Sequence, residues 1–529
     1  MPRKPKPKNT LTAGERAALY EAEMEKKQRR MRADESENAN AESEDGFDVK
    51  NTSVNDVDAR TEPEKRVMRS EKIKKQLPKP EHATVRVDFS IPIGEIKPMH
   101  GMCNGPVSYG ADLSGLFREI GVPSVRFDCT DTAISAYAID VSRIFANAGA
   151  DPNDASNYDF SITDKYLEAA HLAGARVVYR LGESVDLFGS VGTANDWDIE
   201  TLTRVCVNIV KHYNDGWANG YYYGIDRFEI LSLEKNLQND ELQERFEKYR
   251  HIADAIKFYD EELKVGGMSF DGFDGEVRDF LRFCKKKHTP LDFVTVDCFC
   301  GDPRETYNKA SILERYVRTL GFDGVEIIIG KWSFADQAVL GEASLNKILS
   351  GNGEKHSSLR KELFRSQKTV KGAAFAAAFM LEMAHVNCVS LCCLYDAQPM
   401  LSPFCAIADR FGDPEKPFYV FKTYGELYRA KNAVLCGVEE PDGFAHHGIY
   451  AGAALSESGE GYVMIASFGG CGVVDIRLDG VPDNIYTADV YMLDGVKNMD
   501  KCDSVPLSGM KKRLVLNVSE FGVVFIKLY

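Results

Sequence analysis

The sequence predicts an α/β fold: a (β/α)8 barrel followed by a small β-sandwich module, with a disordered, charged N-terminal tail. Three observations carry this. After Ala83, short apolar runs alternate with amphipathic stretches at helical spacing. After Leu427 the pattern changes to brief runs separated by turn residues. Before Ala83 large apolar residues are scarce and charge comes in blocks. The expected units are residues 1–82, 83–435 and 436–529.

The tail is basic around Pro2–Lys8, mixed to Arg32 and acidic from Asp34 to Asp48. Such a segment cannot bury enough surface to offset its ordering entropy. Thr12-Ala13-Gly14-Glu15 is a capping-box pattern ahead of Arg16–Met31, so a solvated helix can form there. A docking arm for a protein partner is the alternative to a plain solvated tail.

Thr84–Ser90 alternates in polarity and reads as a strand that joins the β-module, because an orphan strand needs a partner edge. Barrel strands are expected at Met99–Cys103, Ser124–Asp128, Ala175–Leu181, Phe228–Leu233, Lys264–Phe270, Phe293–Phe299, Glu326–Trp332 and Cys388–Tyr395. Helices are expected at Asp112–Ile120, Thr163–Leu172, Ile199–His212, Asp240–Tyr259, Val277–Lys287, Arg304–Leu320 and Ser366–His385. The last is dense in Ala and should lie close against the barrel wall. A doubly wound sheet is the rival, but no Gly-rich phosphate turn follows the first strand. The module strands are Gly448–Leu455, Gly461–Phe468, Val473–Leu478, Ile485–Tyr491, Arg513–Asn517 and Gly522–Leu528.

Composition narrows the function. A formal net charge of −15 argues against a nucleic-acid groove. No apolar run approaches the roughly 18 residues of a membrane span, and no apolar h-region follows the basic start, so a cytoplasmic location is expected. The 13 cysteines include no CxxC pair and read as buried free thiols in a reducing compartment. No metal-ligand spacing and no cofactor motif is present.

The stretch His212-Tyr213-Asn214-Asp215-Gly216-Trp217-Ala218-Asn219-Gly220-Tyr221 leads into the apolar run Arg227–Leu233. It resembles the H-Y-N-x-G-W-A-x-G-Y run of glycoside hydrolase family 39, the β-xylosidases and α-L-iduronidase, where W-E-I-W-N-E-P follows. Tyr158-Asp159-Phe160-Ser161 with Asp164 is similar to a Y-x-F-x-x-x-D segment of that family. Arg180-Leu181-Gly182-Glu183-Ser184 is similar to its R-L-G-E-S turn, and Tyr395-Asp396-Ala397-Gln398-Pro399 to its Y-D-A-R-P. Lys416–Tyr419 and Gly425–Tyr428 follow in register. The resemblance spans roughly residues 95–529 and implies a retaining glycosidase with two carboxylates about 5 Å apart.

Both implied catalytic positions are replaced. Aligned without a gap, the acid/base glutamate falls on Leu233, which holds no titratable proton. The nucleophile of the seventh-strand T-E-W turn falls on Lys331 in Gly330-Lys331-Trp332. Lysine cannot form the glycosyl ester and places positive charge where an oxocarbenium-like centre would develop. The flanking histidines of the family fall on Asp297 and Asp128. A buried lysine needs carboxylate partners, so Lys331 is expected within salt-bridge reach of Asp297 at the barrel mouth.

Trp332, Asp297, Asp128, Lys331 and Tyr395 are the candidate substrate-binding residues, Trp332 as a sugar-stacking face. Trp217 and Tyr221–Tyr223 are weaker stacking candidates, read first as packing. Glu234 lies one residue past the acid position, and a one-residue shift turns a strand side chain to the other face. Glu183, Glu229 and Glu326 read as structural, His212 as a scaffold residue, and Ser232 lacks an evident His partner. Three functions follow. The first is an inactive glycosidase-like protein whose barrel mouth binds carbohydrate or another partner. The second is an active hydrolase using Glu234 with Asp297 or Asp128. The third is a scaffold acting through its N-terminal arm.

Overall fold

The computed structural model describes residues 82–128, 137–185, 194–234, 237–341, 345–351, 353–400, 402–439, 448–470, 472–507 and 512–529. The tail expectation and the capping box at Thr12–Glu15 lie outside the described residues. Among those residues no helix is long and apolar enough to cross a membrane, and the cysteines are free thiols, most of them buried.

Eight parallel strands close into a barrel in sequence order: β1 (Gly101–Cys103), β2 (Ser124–Arg126), β3 (Arg176–Leu181), β4 (Arg227–Ile230), β5 (Lys264–Asp271), β6 (Phe293–Cys300), β7 (Glu326–Phe334) and β8 (Val389–Leu394). Each lies within one of the expected apolar runs or overlaps it, and β8 pairs back onto β1 to close the ring. Alternate residues face opposite sides. On β7, Ile327 and Ile329 join the layer between strands and helices, whereas Ile328 joins a small inner cluster with Cys103, Val178, Phe293, Leu391 and Cys393.

Helix boundaries follow local chemistry. Ile199–Asp215 begins where the Asp198 carboxylate accepts from the Thr201 amide, and it stops at Gly216, whose φ of 70° is left-handed. Pro303–Thr319 starts with Asp302 accepting from the Arg304 amide and Pro in the first turn.

The helix expected over Ser366–His385 starts later, as Val370–Ala384, because Ser366 and Gln367 belong to an earlier helix, Glu354–Gln367. Gln367 ends the first. The hydroxyl of Thr369 donates to the Ser366 carbonyl at 2.6 Å, a local bond that competes with helix continuation. In the second helix every residue from Gly372 to Met383 is buried. A helix apolar on all sides must be enclosed on all sides. It lies against β7 and β8 on one flank and against the sheet strands Ile449–Leu455, Gly461–Phe468 and Phe521–Leu528 on the other. The expectation of barrel-wall packing covered only half of its surroundings.

The second layer is a nine-stranded, mostly antiparallel sheet. The strand His82–Glu95 lies inside it, antiparallel to Asn432–Glu439 and parallel to Val473–Asp479. Inward residues from both halves of the sheet, among them Val85, Val87, Val463, Ile476, Val490, Leu514 and Ile526, form one core, so the sheet curls over itself as a sandwich does. The intervening residues Met464, Ala466, Val523 and Phe525 face the barrel and merge with its core. Two strands, Asn432–Glu439 and Asn498–Pro506, are additional to those expected. The first crosses the expected boundary at 435/436, so the sheet begins at Asn432. The second is solvent-exposed along most of its length and carries no apolar alternation to reveal it.

Candidate functional site

The C-terminal half of the barrel interior holds a buried network of charges, each placed by a strand. β2 presents Arg126 inward, with Asp128 two residues on; both are fully buried. β4 presents Glu229. Arg126 and Glu229 form a two-pronged pair at 2.7 Å for each bond, and Thr295 of β6 donates to the same carboxylate at 3.2 Å. Such fork geometry is the strongest arrangement an arginine makes with a carboxylate. From β3, Arg180 Nε is 3.3 Å from Asp128 and Nη2 is 2.8 Å from Asp140, where Ser184 also donates at 2.7 Å.

β7 completes the network through an irregularity. Ile329 pairs with Val296, yet Lys331 pairs with Asp297, so Gly330 is an extra residue. A side chain at Gly330 would meet Thr295 Cγ2 at 2.4 Å and Arg126 Nε at 3.0 Å, which shows that this position faces the interior and that only glycine fits. The bulge makes the next residue, Lys331, face inward as well. Its ammonium forms an ion pair with Asp128, lies 3.6 Å from Asp297 Oδ2 and sits 5.8 Å from the centre of the Tyr395 ring. Ser269 of β5 links the two halves, accepting from Arg126 at 3.0 Å and donating to Asp297 at 3.1 Å.

Burial by itself would raise the Asp128 carboxyl, but Lys331, Arg126 and Arg180 together hold it well below the usual carboxylate range. Asp297 goes the other way. Burial pushes its carboxyl up to about 6, Lys331 and Arg126 offsetting only part of the penalty. Its Oδ1 is buried without a hydrogen-bond partner among the described residues. Glu183 is raised to about 7 by burial and by Asp140, while Ser142 holds it through its amide at 2.8 Å and its hydroxyl at 2.7 Å.

The structure thus brings together Lys331, Asp297, Asp128 and Tyr395. It does not bring Trp332 with them. After the bulge the alternation places Trp332 on the outer face, 1% exposed and stacked 4.3 Å from Phe379 and 6.0 Å from Phe421. Its assignment as a sugar-stacking face is corrected: it is core. Tyr395 is 8% exposed and packs against Phe404 and Phe299, its ring shared with Lys331.

At the other replaced position, β4 ends at Ile230, and Leu231 takes a left-handed φ of 63°. Leu233 packs into the outer core, its amide donating to Met268 at 2.9 Å. Glu234 turns to Arg245 on the helix Asn239–Tyr259, with contacts of 3.0 and 3.1 Å.

Arg126, Arg180, Glu229 and Ser269 were not singled out for the site from sequence. The available signal was an arginine in each of two otherwise apolar strands, since a fully buried guanidinium requires carboxylates. The motifs of the resemblance also meet in space. His212 joins the Trp217 carbonyl at 2.8 Å to Asp164 at 3.1 Å, Tyr213 donates to Asp164 at 3.0 Å, and Phe160 stacks on His212 at 3.5 Å. His212 is a scaffold residue.

Comparison with known proteins agrees with this architecture. Residues 228–336, from β4 through β7, match the family model for glycosyl hydrolases family 39. A β-xylosidase of Geobacillus stearothermophilus is 39% identical over 108 residues, 18% of this chain and 20% of that one, so the match spans about a fifth of the relative's length. Among solved structures, a glucosidase from Croceicoccus marinus superposes with a TM-score of 0.66 at 19% identity, covering 84% of this chain and 98% of that one. A monomeric β-xylosidase from Caulobacter crescentus does so with a TM-score of 0.59 at 14% identity, over 84% and 99%. These two share the fold. The matched segment contains both Leu233 and Lys331, and over that segment the chain is similar to glycoside hydrolase family 39.

Proposed function

We propose that this is a glycosidase-like protein without hydrolytic activity, whose barrel mouth binds carbohydrate or another partner. The observation that carries the reading is Lys331, bound to Asp128 and 3.6 Å from Asp297 at the seventh-strand position where the family resemblance implies a nucleophile. Hydrolysis with retention needs one carboxylate free to attack and a second group able to deliver a proton. Here Asp128 is fully buried and engaged by three cations, so attack on a sugar would break its ion pairs. Leu233 has no proton to give. Glu234, the relocated acid of the competing reading, is drawn to Arg245.

The charge pattern supports binding in place of turnover. Lys331 pairs with Asp128 and sets an ammonium at the implied nucleophile position, where positive charge opposes an oxocarbenium-like centre. Lys331, Asp297 and Tyr395 still present a donor, an acceptor and a ring edge. The relation to β-xylosidases directs the choice of ligand to a neutral pentoside.

Aryl β-xyloside and aryl α-iduronide turnover by the full chain should equal buffer background, with a pentoside raising the melting temperature progressively, with the logarithm of its concentration once above its Kd. Turnover above background that disappears in Glu234→Gln would establish the competing hydrolase.

A further inference from the structure

Among the described residues, each cation of this buried network is already matched. Arg126 pairs with Glu229 and lies 3.7 Å from Asp128; Arg180 contacts Asp128 and Asp140; Lys331 contacts Asp128 and Asp297. Three cations therefore face four carboxylates, Asp128, Asp140, Glu229 and Asp297. Among the described residues of this network no surplus positive charge awaits an acidic group on a ligand. A ligand carboxylate entering here would lose its hydration beside Asp297 and Asp128 and gain no free cation in return. A neutral polyol meets no such opposition.

A second observation concerns spacing. Lys331 Nζ and Asp297 Oδ2 are 3.6 Å apart, too far for a direct hydrogen bond yet close enough for one oxygen to bond to both. A hydroxyl is suited to that place because it accepts from the ammonium and donates to the carboxylate. A ligand carboxylate could accept from Lys331 but would repel Asp297. Ser269, 3.1 Å from Oδ2, fixes the acceptor, and the Tyr395 ring lies beside the donor.

We propose that Lys331 and Asp297 form a specificity pair for a neutral polyhydroxylated ligand, one ligand hydroxyl bridging Nζ and Oδ2, and that the same pair excludes uronic acids. This rests on the reading that the mouth binds carbohydrate, and it adds the atoms that would select a neutral sugar over a uronic acid.

Calorimetric titration of the full chain with methyl β-xyloside and with methyl β-glucuronide, at pH 7.5 and equal ionic strength, tests it. The expected result is binding of the xyloside alone. Asp297→Asn, close in shape, should weaken xyloside binding about tenfold or more, the usual effect of losing a charged hydrogen-bond partner, and should narrow the gap between the two ligands. Unchanged xyloside affinity in folded Asp297→Asn and Lys331→Met overturns the pair while leaving carbohydrate binding intact. Equal binding of the two glycosides by the natural chain also overturns it. Titration of the natural chain with the monodeoxy xylosides needs no variant. The loss should concentrate on one hydroxyl, and a loss spread evenly over all positions overturns the bridge. Absence of binding by either glycoside removes the carbohydrate reading itself, and this inference with it.

Discussion

Asp297 makes the site sensitive to pH in a definite direction. Its folded carboxyl, raised from 3.8 to about 6, holds a proton more tightly than the unfolded chain does. Its contribution to stability is therefore most favourable below the unfolded value and declines as pH rises toward 6, by about 3 kcal/mol in all. Asp297→Asn removes that component. The natural chain should lose stability relative to this variant between pH 4 and pH 7, read as the difference between their melting temperatures. A constant difference would show that Asp297 does not titrate in that range. For the Arg126–Glu229 pair, Glu229→Ala leaves the buried guanidinium with only the more distant Asp128 carboxylate at 3.7 Å and should cost about 3–5 kcal/mol, more than replacing both partners by apolar residues of similar size. Denaturant unfolding of the two variants compares them. Among these residues, the grouping of Lys331, Asp297 and Asp128 was legible because the resemblance aligns all three with the implied nucleophile and its flanking positions. The bond between Arg126 and Glu229 was not, because register across β2 and β4 cannot be read from either strand alone.

At the scale of elements, the bulge at Gly330 decides which residues of β7 see the interior. Sequence alternation alone would set Lys331 against Gly330 on opposite faces, and a single extra residue defeats it. Trp332 was assigned to the site because it follows Lys331, but once the bulge turns Lys331 inward the next residue faces out, while the strand itself was placed within two residues. Gly330→Val would drive a side chain into Thr295 and Arg126. Overpacking of this kind costs about 1–3 kcal/mol or more, and a lowered denaturation midpoint with unchanged slope would record it. Trp332→Ala should cost about 3–5 kcal/mol through the cavity left between Phe379 and Phe421. If this variant were instead fully stable and only weakened in sugar binding, the outward placement of Trp332 would be wrong. The eight barrel strands were legible because their apolar runs are short and bounded by turn residues. The break at Lys368-Thr369 was not, since a side-chain hydroxyl bonding its own backbone leaves no trace in periodicity.

Across the whole molecule, barrel and sheet share a continuous core through the helix Val370–Ala384 and the outward residues Met464 and Phe525. Phe525→Asp should therefore destabilise both layers in one transition, and a differential scan resolving two separate peaks would refute the coupling. The strand His82–Glu95 has the longest reach of any element. Its residues Val85, Val87 and Phe89 complete a core whose other strands begin at Asn432. At ribosomal speeds of roughly 5–20 residues per second, the partner that pairs with Asp88 emerges on the order of twenty to eighty seconds later. For that interval a growing chain carries an apolar ribbon with nowhere to dock, a ready client for the chaperones that attend nascent polypeptides.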